Sequence, residues 1–289
     1  MGYAHIDNLY KSQDILMFRE CFAMEKIHGT SAHVSFDVFT IPKLKFFSGG
    51  ESHVNFVKLF DVEVLTAKFE ALNAEKVIVY GEAYGGKQQK QSHRYGNALK
   101  FVAFDVKIGD YWLSVPDAEQ VVLSLGLEFV HYRKVPAEIE ALNNERDAPS
   151  EQAKRNGVKG IQTREGVVLR PLREMHGNDG SRIVSKHKRA EERETATNRD
   201  VVDPSTLAVL EKAEDIANEW VTPTRLEHVL DKLGPVGLDR TKDVIVAMVE
   251  DVVREGKGEI VDSKDARRAI GKKTAELFRK RFTDALQEM

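Results

Sequence analysis

A lysine that closes an apolar run and is followed by x-His-Gly is the first place in this chain where chemistry is legible. Glu25-Lys26-Ile27-His28-Gly29-Thr30 comes directly after Cys21-Phe22-Ala23-Met24, a run with strand character. Gly29 permits a sharp turn there, because glycine adopts backbone angles closed to other residues. So placed, the lysine would point into a pocket as a candidate nucleophile. By itself Lys-x-Asp/His-Gly is weak, since composition alone produces it in about one chain in ten of this length. A surface lysine beside a turn explains it equally.

Further polar groups follow, each inside a strand-like run. They are Glu82 after Val79-Tyr80-Gly81, Phe104-Asp105 within 101–106, Glu165 before Gly166-Val167-Val168-Leu169-Arg170, and Lys186 and Lys188 on either side of His187. Strand side chains two apart share a face, so the two lysines set cations side by side, which is costly unless an anion lies between them. Singly, each group has an ordinary explanation. Phe104 serves a core as readily as a base stack, Asp105 can fix a turn or a neighbouring cation, and Glu82 suits a half-exposed strand. Gly85-Gly86-Lys87 lacks the spaced glycine and the Ser or Thr of a phosphate loop, and neither HExxH nor GxSxG occurs, so a nucleotide would have to be held by some other arrangement.

Taken in order, residues 25 to 188 resemble the covalent nucleotidyltransferase superfamily of polynucleotide ligases and messenger-RNA capping enzymes. Its signature is a nucleophilic Lys-x-Asp/His-Gly, a Gly-Glu, a Phe-Asp, a Glu-Gly and a closing Lys-x-Lys. With Glu25 before the lysine, His28 after it and Gly29-Thr30 next, the chain is similar to the phage RNA ligase 2 branch and the kinetoplastid RNA-editing ligases. The resemblance implies an ATP-dependent RNA ligase of RNA repair. Such an enzyme seals 3′-hydroxyl and 5′-phosphate ends through AMP carried first on Lys26 and then on the 5′ end. It implies catalytic parts for Lys26, Glu165, Lys186 and Lys188. The implied nucleotide pocket comprises Glu25, Lys26, His28, Gly29, Glu82, Phe104, Glu165, Lys186 and Lys188, with Glu82 on the ribose and Phe104 on adenine. A divalent metal, magnesium or alternatively manganese, is implied at Glu165. Only a neutral amine attacks phosphorus, clustered cations favour that form, and the same cations stabilise charge growing on the phosphoryl oxygens. A DNA ligase, a capping-type guanylyltransferase and a catalytically silent RNA-binding repair protein are the alternatives. Where the ligase branch often carries an arginine shortly after the second strand, this chain reads Phe47-Ser48-Gly49-Gly50-Glu51, which leaves the contact to the nucleic-acid end open.

Strands must position this set, and β-branched or aromatic runs bounded by Gly, Pro or polar residues predict them at 21–28, 31–39, 43–47, 76–84, 100–107, 128–133, 165–171 and 182–187. Helical spacing appears at 55–72 and 117–125. After Arg199 the strand-like runs cease, and Pro204, Pro223 and Gly234-Pro235 separate amphipathic patterns at 204–219, 223–233, 239–255 and 263–286. The expectation is an α+β fold: an antiparallel-sheet nucleotidyltransferase domain over 1–200 and a small all-helical C-terminal domain over 201–289. DNA ligases and capping enzymes typically place an OB-fold barrel there, so helices favour the RNA ligase 2 type. The last helix carries Lys264, Arg267, Arg268, Lys272, Lys273, Arg279, Lys280 and Arg281, either a solvated face or a nucleic-acid contact.

Composition bounds the rest. At 289 residues and 42% hydrophobic the chain can bury a substantial core. It has no run of 18 apolar residues and no basic stretch leading into an apolar one, which predicts a soluble, cytoplasmic protein without a membrane segment. Cys21 is the single cysteine, which excludes an internal disulfide and a cysteine-rich zinc site. A net charge of −3 excludes a nucleic-acid binder that works through global positive charge. Locally, Lys87, Lys90, Arg94 and Lys100, with His93 and Tyr95 between them, suit a solvated loop and a phosphate contact alike. The expected partner is nicked duplex or structured RNA, and a monomer is the default state.

Overall fold

The computed structural model describes residues 2–86, 92–197, 200–201 and 209–287. It divides into two compact units, Met1–Arg189 and Ala190–Met289. In the first, strands β1 (Glu20–Lys26), β7 (Tyr132–Pro136), β8 (Gly166–Pro171) and β9 (Ser185–Lys188) form one sheet in the order β7-β1-β8-β9. A second sheet runs β3-β2-β4-β5-β6, from β2 (Gly29–Asp37), β3 (Leu44–Ser48), β4 (Lys76–Tyr84), β5 (Lys100–Ile108) and β6 (Tyr111–Trp112). The pairings within both sheets are antiparallel, as the alternation of apolar and polar residues along β2 anticipates. Ala32, Val34 and Phe36 of β2 and Val77 and Val79 of β4 face a core shared with Phe56, Leu65 and Phe69. Burying one such large side chain contributes about 1.5–3 kcal/mol.

The helices of this unit are α1 (His53–Val57), α2 (Val62–Ala71), α3 (Ser92–Tyr95), α4 (Val115–Ser124), α5 (Ile139–Asp147) and α6 (Glu151–Arg155). The single helix expected over 55–72 is thus two. Asp61 interrupts it, its carboxylate accepting from Val64 N at 3.1 Å as the N-cap of α2. The run at 128–133 also behaves differently from a simple strand. Tyr80 pairs with Asp105 and Gly81 with Ala103, which makes Phe104 the extra residue of a β-bulge. Ala103 N–H donates to Glu128 O and its carbonyl accepts from Val130 N, both at 2.8 Å. Residues 128–130 therefore cover the edge of β5, and strand pairing with β1 begins only at Tyr132.

In the second unit α7 (Ala213–Trp220), α8 (Pro223–Leu233), α9 (Thr241–Glu255) and α10 (Lys264–Gln287) pack around Trp220, Leu226, Val244, Met248 and Phe278. Buried Arg225 donates to Asp251 at 2.6 Å and lies 5.1 Å from the Trp220 ring centre. This is the helical character expected after residue 200. The first expected helix, 204–219, is described only from residue 209, with helix from Ala213; residues 202–208 lie outside the described residues, as do Lys87 and Lys90. Among the described residues no helix is long and apolar enough to cross a membrane. A cavity of about 600 Å³ opens within this unit, lined by Arg193, Thr195, Asn218 and Thr222 among others.

Candidate active site

Lys26 is the last residue of β1, where it pairs with Gly166 of β8, which in turn pairs with Lys188 of β9. Three strands thus bring residues from distant parts of the chain into one row. Gly166 is required at its centre: a Cβ there would stand 2.2 Å from His187 O. The side chain of Glu165, next to that glycine, joins the row. Its Oε2 accepts from Lys26 Nζ at 2.7 Å and lies 3.5 Å from His28 Nδ1, while its Oε1 lies 3.0 Å from Lys188 Nζ. Glu165 is only 3% exposed, and burial opposes its charge. The ammonium groups of Lys26 and Lys188, with His28, nonetheless hold its carboxyl well below the usual carboxylate range. A buried anion paired with two cations is the stable way to keep such charges out of water.

Glu82 faces the same cluster from the second sheet. Gly29 makes that approach feasible, since a Cβ there would lie 2.4 Å from Ala83 O and 2.8 Å from Glu82 Cγ. Burial pushes the Glu82 carboxyl up to about 8, against the pull of Lys26 and with the help of the Glu165 charge. A carboxyl whose folded pKa lies above its unfolded value contributes stability fully present below about pH 4.5 and lost as pH rises through about 8. Glu82→Gln, which cannot ionise, is therefore expected to gain in Tm over the parent as pH rises from 6 to 9. A Tm difference independent of pH would contradict the assignment.

The remaining expected residues sit around this cluster. The buried Glu25 carboxylate accepts from Ser150 Oγ at 2.5 Å, Glu151 N at 3.0 Å and Gln152 N at 3.2 Å. It thereby caps the start of α6, on the opposite side of β1 from Lys26. Phe104 is partly buried, and Tyr3 meets it edge-on with centroids 5.0 Å apart. Lys186 N–H donates to Asp7 O at 2.9 Å and its carbonyl accepts from Leu9 N at 2.8 Å, so the N-terminal segment lies along β9.

Several positioning partnerships, that of Asp105 with Tyr3, Arg170 and Arg182 first among them, have no signal in the local sequence. Asp105 is fully buried, with Arg170 Nη1 2.9 Å from Oδ1 and Arg182 Nη1 2.7 Å from Oδ2. Tyr3 donates to the same carboxylate at 2.7 Å, and Arg182 lies 3.9 Å from the Trp112 ring centre. Of the two ordinary parts open to Asp105, fixing neighbouring cations is the one observed. The Tyr95 hydroxyl accepts from His28 N at 3.3 Å, anchoring the turn after Lys26. Arg170 lies in the Glu-Gly run and Tyr95 in the basic stretch, but no local pattern announces either partnership.

These strands and this charged row define a class. A family model described as RNA ligase matches residues 19–188, more than half of the chain, and the chain belongs to the RNA ligase family. Among solved structures it is similar to a variant of the Naegleria gruberi RNA ligase with AMP and Mn, at 14% identity and a TM-score of 0.51, over 65% of this chain and 56% of that one. Another variant of that ligase, with ATP and Mn, matches at 14% identity and a TM-score of 0.51, over 66% of this chain and 56% of that one. The likeness is one of fold, and the chain spans a little over half the length of those chains. Among curated proteins no sequence match is found.

Proposed function

We propose that this protein is an ATP-dependent RNA ligase that carries AMP on Lys26. The observation that bears most of the weight is Lys26 Nζ held 2.7 Å from Glu165 Oε2, with Lys188 on the other oxygen at 3.0 Å. In this reading Lys26 Nζ, once deprotonated, attacks the α-phosphorus of ATP. The bond to the bridging oxygen breaks and pyrophosphate leaves. Glu165 orients the amine, and Lys188, with Lys186 beside it on β9, supplies positive charge where the phosphoryl oxygens gain negative charge. Glu82 meets the ribose, Phe104 stacks on adenine, and His28 and Gly29 shape the turn that presents Lys26. Glu25 supports the pocket from behind through α6. A 5′-phosphate end then takes AMP from Lys26, and a 3′-hydroxyl displaces it as the strand is sealed.

The donor set suits a magnesium or manganese ion. Glu165 offers hard carboxylate oxygens, and the described residues contain no group of three or more His, Cys, Asp or Glu able to hold a metal alone, so phosphate oxygens and water would complete the shell. Such an ion supplies neutralisation of phosphate charge. The first unit, Met1–Arg189, is assigned the adenylation chemistry, and the helical unit a supporting role on nucleic acid. We assign the protein to the cytoplasm, acting as a monomer on nicked duplex or structured RNA.

Matched RNA, DNA and chimeric nicks offered with ATP and magnesium test this. Sealing should require ATP and be fastest with RNA at the joined ends. Sealing of all-DNA nicks alone, or protein labelling by GTP in place of ATP, would overturn the reading.

A further inference from the structure

Phe47 is 45% exposed, yet its ring is not unsupported. It stacks on His33 with centroids 5.0 Å apart and planes 22° apart, and His33 leans on Tyr80 at 5.6 Å. The three rings form a row across β3, β2 and β4 because Phe47 pairs with His33 and His33 with Tyr80. One step along the same strands Ser31 pairs with Glu82. Cross-strand partners share a face, as do residues two apart, so Phe47 lies on the sheet face that carries Glu82. Two strand spacings across and two residues along put it about 12 Å from that residue. Burial pulls the His33 imidazole down to about 4, so at neutral pH the ring behind Phe47 carries no charge. An uncharged flat surface beside a nucleotide site matches the face of a base rather than a phosphate.

We propose that the Phe47 ring, backed by His33, is a stacking platform for a nucleobase at the nucleic-acid end being joined. This rests on the ligase reading above. It assigns to the Phe47-Ser48-Gly49-Gly50 stretch a contact through the base, tolerant of which base is present because every base has a π-face. A ring already stacked on His33 pays little further ordering when the base arrives.

The test uses the full chain, nicked duplex RNA carrying 2-aminopurine at the 3′-hydroxyl nucleotide, the 5′-phosphate nucleotide or the template nucleotide opposite, and the variants Phe47→Leu and Phe47→Trp. Binding to the parent and to Phe47→Trp should quench the probe at one of the two nucleotides flanking the nick, and Phe47→Leu should lose that quenching. KM for nicked RNA should rise about tenfold in Phe47→Leu with kcat nearly unchanged, and Phe47→Trp should restore it. Covalent labelling by ATP should be equal in all three proteins. Quenching confined to the template, or a Phe47→Leu protein that matches the parent in quenching and KM, overturns the platform. Absence of covalent labelling in the parent would instead count against the ligase reading, and the quenching measurement stands apart from it.

Discussion

Alanine at Lys188 is expected to cut transfer of AMP to the protein by about 10²- to 10³-fold while leaving the fold in place. Lys188 Nζ lies 3.0 Å from Glu165 Oε1, and its side chain is 13% exposed, so it is held close to the row yet open to an incoming phosphate. In the proposed reaction it sits where negative charge grows, and a single preorganised donor at such a position is worth that range. The fold survives because Glu165 keeps Lys26 as a partner. Labelling by α-labelled ATP is the readout, with circular dichroism as the control. Labelling within a few-fold of the parent would remove Lys188 from the phosphate site.

Alanine at Asp105 should act in the opposite way, through stability. Arg170 and Arg182 are 2% and 9% exposed and both bond this one carboxylate; Glu174 is the second acid beside them. Removing Asp105 leaves two buried guanidinium groups short of an anion, and breaking a buried pair from one side costs about 3–5 kcal/mol. For a unit of this size that corresponds to a fall in Tm on the order of 10 °C. Phe104 occupies the bulge directly before Asp105, so ATP affinity should fall along with Tm. A Tm within about 2 °C of the parent would contradict the structural part assigned to Asp105.

Much of this was legible in the sequence where local pattern and tertiary role coincide. Lys26 ends an apolar strand and Lys188 lies on a short one, so periodicity sets their faces, whereas Glu165 lies just before β8 and reaches the row from outside the strand. Lys186 and Lys188 asked for an anion between strands, and Glu165 is the anion Lys188 finds. What stayed hidden depends on long-range pairing. The bulge at Phe104 arises from the register of β4 against β5, and nothing within 101–106 marks it. Because Ala103 then bonds residues 128–130, a run with strand composition became an edge cover. Helix α5 carries little sequence signal because Ile-Glu-Ala-Leu-Asn-Asn-Glu-Arg-Asp buries only Leu142 and Glu145 and shows too narrow an apolar stripe. Glu25 is the reverse case: it adjoins the nucleophile in sequence, but strand alternation turns its carboxylate to the N-terminus of α6, where three donors await it.

The most direct measurement is mass mapping of the protein after incubation with ATP and magnesium, on the parent and on Lys26→Ala. One AMP adduct, acid-labile and confined to the peptide containing Lys26, is the expected result, with no adduct on the folded variant. An adduct on another lysine, or equal labelling of Lys26→Ala, would contradict the account.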